Sequence, residues 1–286
     1  MTRTFWLAAL LAALSMAAHA APAPLEAYGQ LPSLEDVRIS PDGHKLAKVT
    51  TEGEQREVVI QPLDGDGVTM KLAAGALKLR DIAWAGPNHL IITASTTGYL
   101  GPSVISARNE WFRAVDLNLS NRTMRLLGSG PALSVIGGAP VVRFIGGRPF
   151  AFVRGLVFVN DRTRTSLLRV DLDGALTTIQ VVGFPNTTRF AVDAEGEAIA
   201  QTEYDAAKGR WSLDLWKDHQ WTEVQYADSP IETPELIGLG RDGSSIAVEF
   251  GADDGDVLRE LRSDGGAWSD PYPVEDSEEL IWDSAT

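Results

Sequence analysis

The sequence predicts an all-β chain of repeated four-stranded units, on three observations. A hairpin phrase, Val37-Arg38-Ile39-Ser40-Pro41-Asp42-Gly43-His44-Lys45-Leu46-Ala47, returns in degraded form about every 45 to 60 residues, the period of a propeller blade. A second phrase, in which apolar and polar residues alternate before an acidic turn, lies between the hairpins, as strands with one buried face require. No stretch after residue 30 carries a long 3.6-residue apolar period that would add a helical layer. Hairpin plus hairpin gives four strands per unit, and such units stacked radially form a β-propeller, which removes free sheet edges by closing a ring.

The elements follow in order. Arg3 precedes an apolar run from Phe5 to Ala18, and Ala18-His19-Ala20 has the small-x-small form that signal peptidase cleaves. Residues 1–20 are therefore expected to be a signal peptide, cleaved between Ala20 and Ala21, which predicts a periplasmic or secreted protein. At roughly 14 residues the run is shorter than the about 20 needed to span a bilayer. Residues 21–32, with three prolines, read as a linker or docking arm. Residues 33–286 form the propeller. Its later hairpins are Ile82-Ala83-Trp84-Ala85-Gly86-Pro87-Asn88-His89-Leu90-Ile91-Ile92, Val142 to Ala151, Arg189 to Ala200 and Ile237 to Val248. Each turns on Gly, Pro, Asp or Asn, the residues that allow a tight reversal. The intervening phrases include Leu168-Arg169-Val170-Asp171-Leu172-Asp173-Gly174, Leu213-Asp214-Leu215-Trp216-Lys217-Asp218 and Leu258-Arg259-Glu260-Leu261-Arg262-Ser263-Asp264. Trp221 and Trp268 follow the last two and suit pairing across outer strands. Five units are readable, and Glu279-Leu280-Ile281-Trp282-Asp283 looks like the first strand of a sixth.

Composition narrows the function classes. The formal net charge is −14, and no cluster of Lys or Arg goes beyond scattered pairs such as Arg162 and Arg164. This argues against a nucleic-acid partner and against an anionic membrane surface. There is no cysteine, which removes disulfides, thiol chemistry and lipid attachment. Nucleophilic catalysis on an α/β-hydrolase needs Ser in a G-x-S-x-G elbow with Asp and His following, and no such pentapeptide exists here. Ser129 and Ser244 read as turn residues. His19 leaves with the signal peptide, while His44, His89 and His219 fall at turns in three different units, a spacing unlike a metal set. Asp64-Gly65-Asp66-Gly67 and Asp253-Asp254-Gly255-Asp256 suit hairpin geometry and lack the spaced Glu of a calcium loop. Asn118, Asn121 and Asn186 head N-x-Ser/Thr triplets, meaningful only where the host glycosylates secreted proteins. No catalytic, cofactor or metal residue is assigned.

The mature chain carries a resemblance. Pro24-Leu25-Glu26-Ala27-Tyr28-Gly29-Gln30-Leu31-Pro32, followed by Leu34-Glu35-Asp36-Val37-Arg38-Ile39-Ser40-Pro41-Asp42-Gly43, is similar to the opening of secreted bacterial S9 peptidases, the prolyl oligopeptidase family. Leu79-Arg80-Asp81-Ile82-Ala83-Trp84, Asn109-Glu110-Trp111-Phe112, Ser166 to Asp171, Tyr204 to Trp211 and Gly238 to Gly243 extend the likeness over nearly all of the mature chain. The Ser-Pro-Asp-Gly phrase alone is shared with TolB-type and other propellers. The resemblance implies a propeller capping a C-terminal α/β-hydrolase domain that carries a Ser-Asp-His triad and cleaves short peptides. This chain ends at Thr286, where the family continues through further blades and the catalytic domain, so no triad residue carries over. Glu278-Glu279 invites comparison with the Glu pair that holds a substrate's amino terminus in the dipeptidyl-peptidase branch, but it lies in a different context and reads as a solvated pair. The expectation is the non-catalytic propeller portion of a secreted S9-type serine peptidase, truncated, which gates access of oligopeptide substrates. The alternative is a free-standing periplasmic TolB-like propeller that binds a protein partner on one face.

Overall fold

A computed structural model describes residues 32–273 apart from residues 54, 66, 100–107, 131, 175, 230 and 252–254. Ala18, Ala20 and Ala21 at the expected cleavage site, all but the last residue of the arm 21–32, Glu278-Glu279 and the expected sixth-unit strand at 279–283 lie outside the described residues. Among the described residues the chain is all β-strand, with no helix.

The strands form the blades of a β-propeller. Blade 1 is β1 (Leu34–Ile39), β2 (Lys45–Glu52), β3 (Gln55–Pro62) and β4 (Met70–Ala73), antiparallel and in sequence order. Blade 2 is β5 (Lys78–Trp84), β6 (His89–Gly98), β7 (Asn109–Asn118) and β8 (Thr123–Leu126). After β9 (Leu133–Ile136), blade 3 follows as β10 (Val141–Ile145), β11 (Arg148–Val159), β12 (Arg162–Asp171) and β13 (Thr177–Val182). Blade 4 is β14 (Thr187–Val192), β15 (Ala198–Asp205), β16 (Arg210–Lys217) and β17 (Gln220–Asp228). Blade 5 is β18 (Glu235–Leu239), β19 (Ser245–Phe250), β20 (Val257–Arg262) and β21 (Tyr272–Pro273).

One element departs from the repeat. Strand β9 pairs with β7 through Phe112 and Ile136 and with β11 through Gly155 and Leu156, so blades 2 and 3 share one nine-stranded sheet. The cause lies in strand length. β10 reaches only to Phe152 of β11, whereas β11 continues to Val159, and the backbone groups beyond need partners that β10 cannot supply.

The recurring phrase folds the same way in different blades. In blade 1 the Ser40 N–H donates to Lys45 O and the Gly43 N–H to Ser40 O, both at 2.8 Å, with Gly43 at φ 76°. In blade 5 the Gly240 N–H donates to Ser245 O at 2.8 Å and the Gly243 N–H to Gly240 O at 3.0 Å, with Gly243 at φ 68°. The Asp before each glycine accepts main-chain N–H bonds, Asp42 from His44 and Asp242 from Ser244 and Ser245. The glycine is needed because the left-handed turn is strained for a side chain. Where a two-residue turn joins consecutive strands, β11 to β12 and β16 to β17, Asn160-Asp161 and Asp218-His219 take the left-handed conformation instead, the twist-matched geometry of a tight hairpin.

Four apolar clusters join consecutive blades. Ala47, Val49 and Ile60 meet Trp84 and Leu90 between blades 1 and 2, and the Trp84 indole N–H donates to Arg38 O at 3.0 Å. Ile91 and Leu127 meet Val153 and Leu168 between blades 2 and 3. Phe152 and Leu167 meet Phe190 and Val192 between blades 3 and 4, and Trp211 and Leu213 meet Ile246 and Val248 between blades 4 and 5. Among the described residues no cluster joins blade 5 to blade 1. Trp221 pairs edge-to-face with Trp216 across β16 and β17 at 5.1 Å, as the sequence predicts. Trp268 lies beyond β20 and packs on Phe250 of β19 at 5.5 Å.

Candidate functional site

The first strands of blades 1, 2, 4 and 5 each carry a register shift near their start, at Leu34/Asp36, Leu79/Asp81, Thr187/Arg189 and Leu236/Gly238. A bulge breaks the strict alternation of side chains and re-aims them. In blade 4 it turns both Thr188 and Arg189 toward a cavity of about 310 Å³, shared with Tyr204, Trp211 and the connection into blade 5 at Thr233 and Glu235. The turn before β14 fixes this start. The Gly183 N–H donates to Thr165 O at 3.1 Å, and a Cβ on Gly183 would lie 2.3 Å from that oxygen, so only glycine fits.

The cavity is charged on one side. Arg189 forms an ion pair with Glu235, and the Thr188 and Thr202 hydroxyls bond each other at 2.8 Å. Behind them Arg154 of β11 donates from Nη1 to Thr188 O at 3.0 Å and from Nη2 to Gly137 O. Burial, then the like charge of Arg189, push the Arg154 pKa down to about 10, against the pull of Glu235. Glu249, directly opposite Glu235 in the β18–β19 pair, is raised by burial and by the charges of Asp256 and Glu235, with Arg189 opposing. The Tyr204 hydroxyl donates to Ser229 O at 3.1 Å and holds the connection over the cavity.

The residues singled out in the sequence lie elsewhere and apart. The expectation that His89 occupies a turn is corrected: it is the first residue of β6 and is 3% exposed. It is held there by two carboxylates, Asp116 at 2.9 Å from Nδ1 and Asp173 of blade 3 at 3.2 Å from Nε2. His44 pairs with Asp64 on the surface of blade 1, and His219 is a left-handed residue of the β16–β17 turn. The Ser129 hydroxyl donates to Leu126 O and the Ser244 hydroxyl to Asp242. Asn118 and Asn121 accept turn N–H bonds from Ser120 and Thr123. On the other face of blade 4, buried Gln201 donates to Asp214 at 3.1 Å. Burial, then the charge and hydrogen bond of neighbouring Asp214, raise Glu203 to about 7. The sequence reading missed Arg154, Arg189 and Glu235, because three charges from three blades carry no local spacing that marks them as one group.

No protein-family model and no curated protein matches the chain. Among solved structures it is similar to TolB from Acinetobacter baumannii, with 14% identity and a TM-score of 0.44, over 81% of this chain and 52% of that one. Oligopeptidase B from Leishmania major aligns with 13% identity and a TM-score of 0.49, over 82% of this chain and 33% of that one. An acylaminoacyl peptidase from Pyrococcus horikoshii gives 12% identity and 0.44, over 81% and 37%. The chain thus spans about half of the TolB structure and about a third of the two peptidases.

Proposed function

We propose that the chain is the non-catalytic propeller portion of a secreted S9-type serine peptidase, and that it gates the access of oligopeptides to a separate α/β-hydrolase domain. The observation that supports this best is that the phrases carrying the family likeness fall in all five blades, from residues 34–43 in blade 1 through 79–84, 166–171 and 204–211 to 238–243 in blade 5, with Ser40, Asp42 and Asp242 shaping the hairpins of the first and last. In this reading their Asp and Ser groups are committed to turns, and the hydrolytic machinery belongs to the other domain. The second reading, a periplasmic TolB-like module that binds a protein partner, is favoured by the blade architecture without its peptidase phrases. Neither reading calls on a cofactor, a nucleic acid or a membrane.

Three measurements test the proposal. The purified chain is expected to leave proline-containing chromogenic peptides uncleaved, because the nucleophile elbow and its base are supplied elsewhere. Turnover that is lost to a serine-directed inhibitor would overturn it. The reading frame around the coding segment is expected to contain a downstream G-x-S-x-G with later Asp and His; a frame without them favours the TolB-like reading. N-terminal sequencing of the secreted protein is expected to start at Ala21, and a start at Met1 or Thr2 would remove the periplasmic assignment.

A further inference from the structure

We infer that the cavity between blades 4 and 5 binds the terminal carboxylate of a short peptide, with Arg189 as the group that receives it. Arg189 engages Glu235 through Nη2, is about a third exposed, and among the described residues gives its remaining guanidinium donors to no other partner. Arg154, directly behind, is compensated by the carbonyl oxygens of Thr188 and Gly137 rather than by a carboxylate of its own. Two guanidiniums therefore share Glu235, while Glu249 opposite is pushed toward its neutral form by burial and by Asp256 and Glu235. A carboxylate entering beside Arg189 meets a planar, partly dehydrated fork whose geometry suits it.

Size and lining fix the class further. About 310 Å³ lies at the small end of ligand sites, which admits the last residue or two of a peptide and excludes a folded segment. Thr188 and Thr233 line it with hydroxyls that suit main-chain amides, and Tyr204 gives an aromatic wall for a side chain, with Thr202 and Trp211 buried behind them. The choice of a peptide over other small acids rests on the oligopeptide reading above.

The test is calorimetric titration of the full chain with Ala-Ala-Phe, its C-terminal amide and its N-acetylated acid. The two acids are expected to bind alike and the amide about tenfold or more weakly, the worth of a charge-assisted pair. Arg189→Gln is expected to weaken the acid by the same factor and leave the amide unchanged. Arg210→Gln, whose bond to Glu223 lies on the other face of blade 4, is expected to change neither. Equal binding of acid and amide, or an acid that binds Arg189→Gln as well as the original chain, overturns the carboxylate site while leaving peptide binding intact. Failure of all three peptides to bind overturns the site, and the gating role then stands or falls on the reading-frame and turnover tests.

Discussion

At the scale of single residues, the buried charges make stability depend on pH. Burial alone would lower the His89 pKa, but the hydrogen bonds and charges of Asp116 and Asp173 together raise it above 6.5. The folded state therefore holds this proton more tightly than the unfolded chain. The stabilisation is complete below pH 6.5 and is lost as pH rises through the folded pKa. His89→Gln is expected to flatten that decline, measured as denaturant midpoint from pH 6 to 9, and an unchanged slope would contradict the assignment. Glu203 follows the same sign for a different reason. Its pKa is raised from an ordinary 4.5 to about 7 by burial and by Asp214, so its favourable contribution is present below 4.5 and lost as pH rises through 7. Glu203→Gln is expected to be more stable than the original chain at pH 8 and equal to it at pH 4. The reverse order at pH 8 would show that the ionised carboxylate is the favoured form.

At the scale of elements, the hairpins were legible and the connections between blades were not. Ser40-Pro41-Asp42-Gly43 announces its turn because Asp and Gly act on backbone groups two or three residues away, and the Trp216–Trp221 pair follows from the short turn between β16 and β17. Strand β9 escaped notice because its partners, Phe112 and Gly155, come from two different blades. His89 was misplaced because its anchors, Asp116 and Asp173, lie 27 and 84 residues away. Two substitutions test the elements. Trp211 is 1% exposed and packs between blades 4 and 5, so Trp211→Ala is expected to cost about 3–5 kcal/mol in a denaturant titration. A loss under 1 kcal/mol would mean that this interface contributes little. His219 sits at φ 63°, a conformation that costs a side chain about 1–2 kcal/mol. His219→Gly is accordingly expected to leave stability unchanged or raise it, and a clear loss would show that the imidazole makes a contact worth more than the strain.

At the scale of the whole molecule, stability runs along the chain of blades. Each apolar cluster ties one blade to the next, while Val37 and Ile39 on the first strand of blade 1 remain 43% and 61% exposed. Units coupled mainly to their neighbours open most easily at the ends. Amide exchange is therefore expected to be faster in blades 1 and 5 than in blades 2 and 3, and light scattering is expected to show association as concentration rises, since exposed strands template pairing with other chains. A monomer with uniformly slow exchange would indicate that the ring closes on itself. The shared strand β9 bears on how such a protein can be rebuilt. A blade bounded by simple loops, such as blade 4 or blade 5, can be lifted out as a cassette and exchanged with a blade from another propeller. Blades 2 and 3 cannot be parted that way, because a crossover between Leu126 and Val141 would hand β9 to one parent and leave one of its two partner strands in the other. In recombination libraries, viable junctions should therefore be depleted from that stretch, and these two blades should be inherited together.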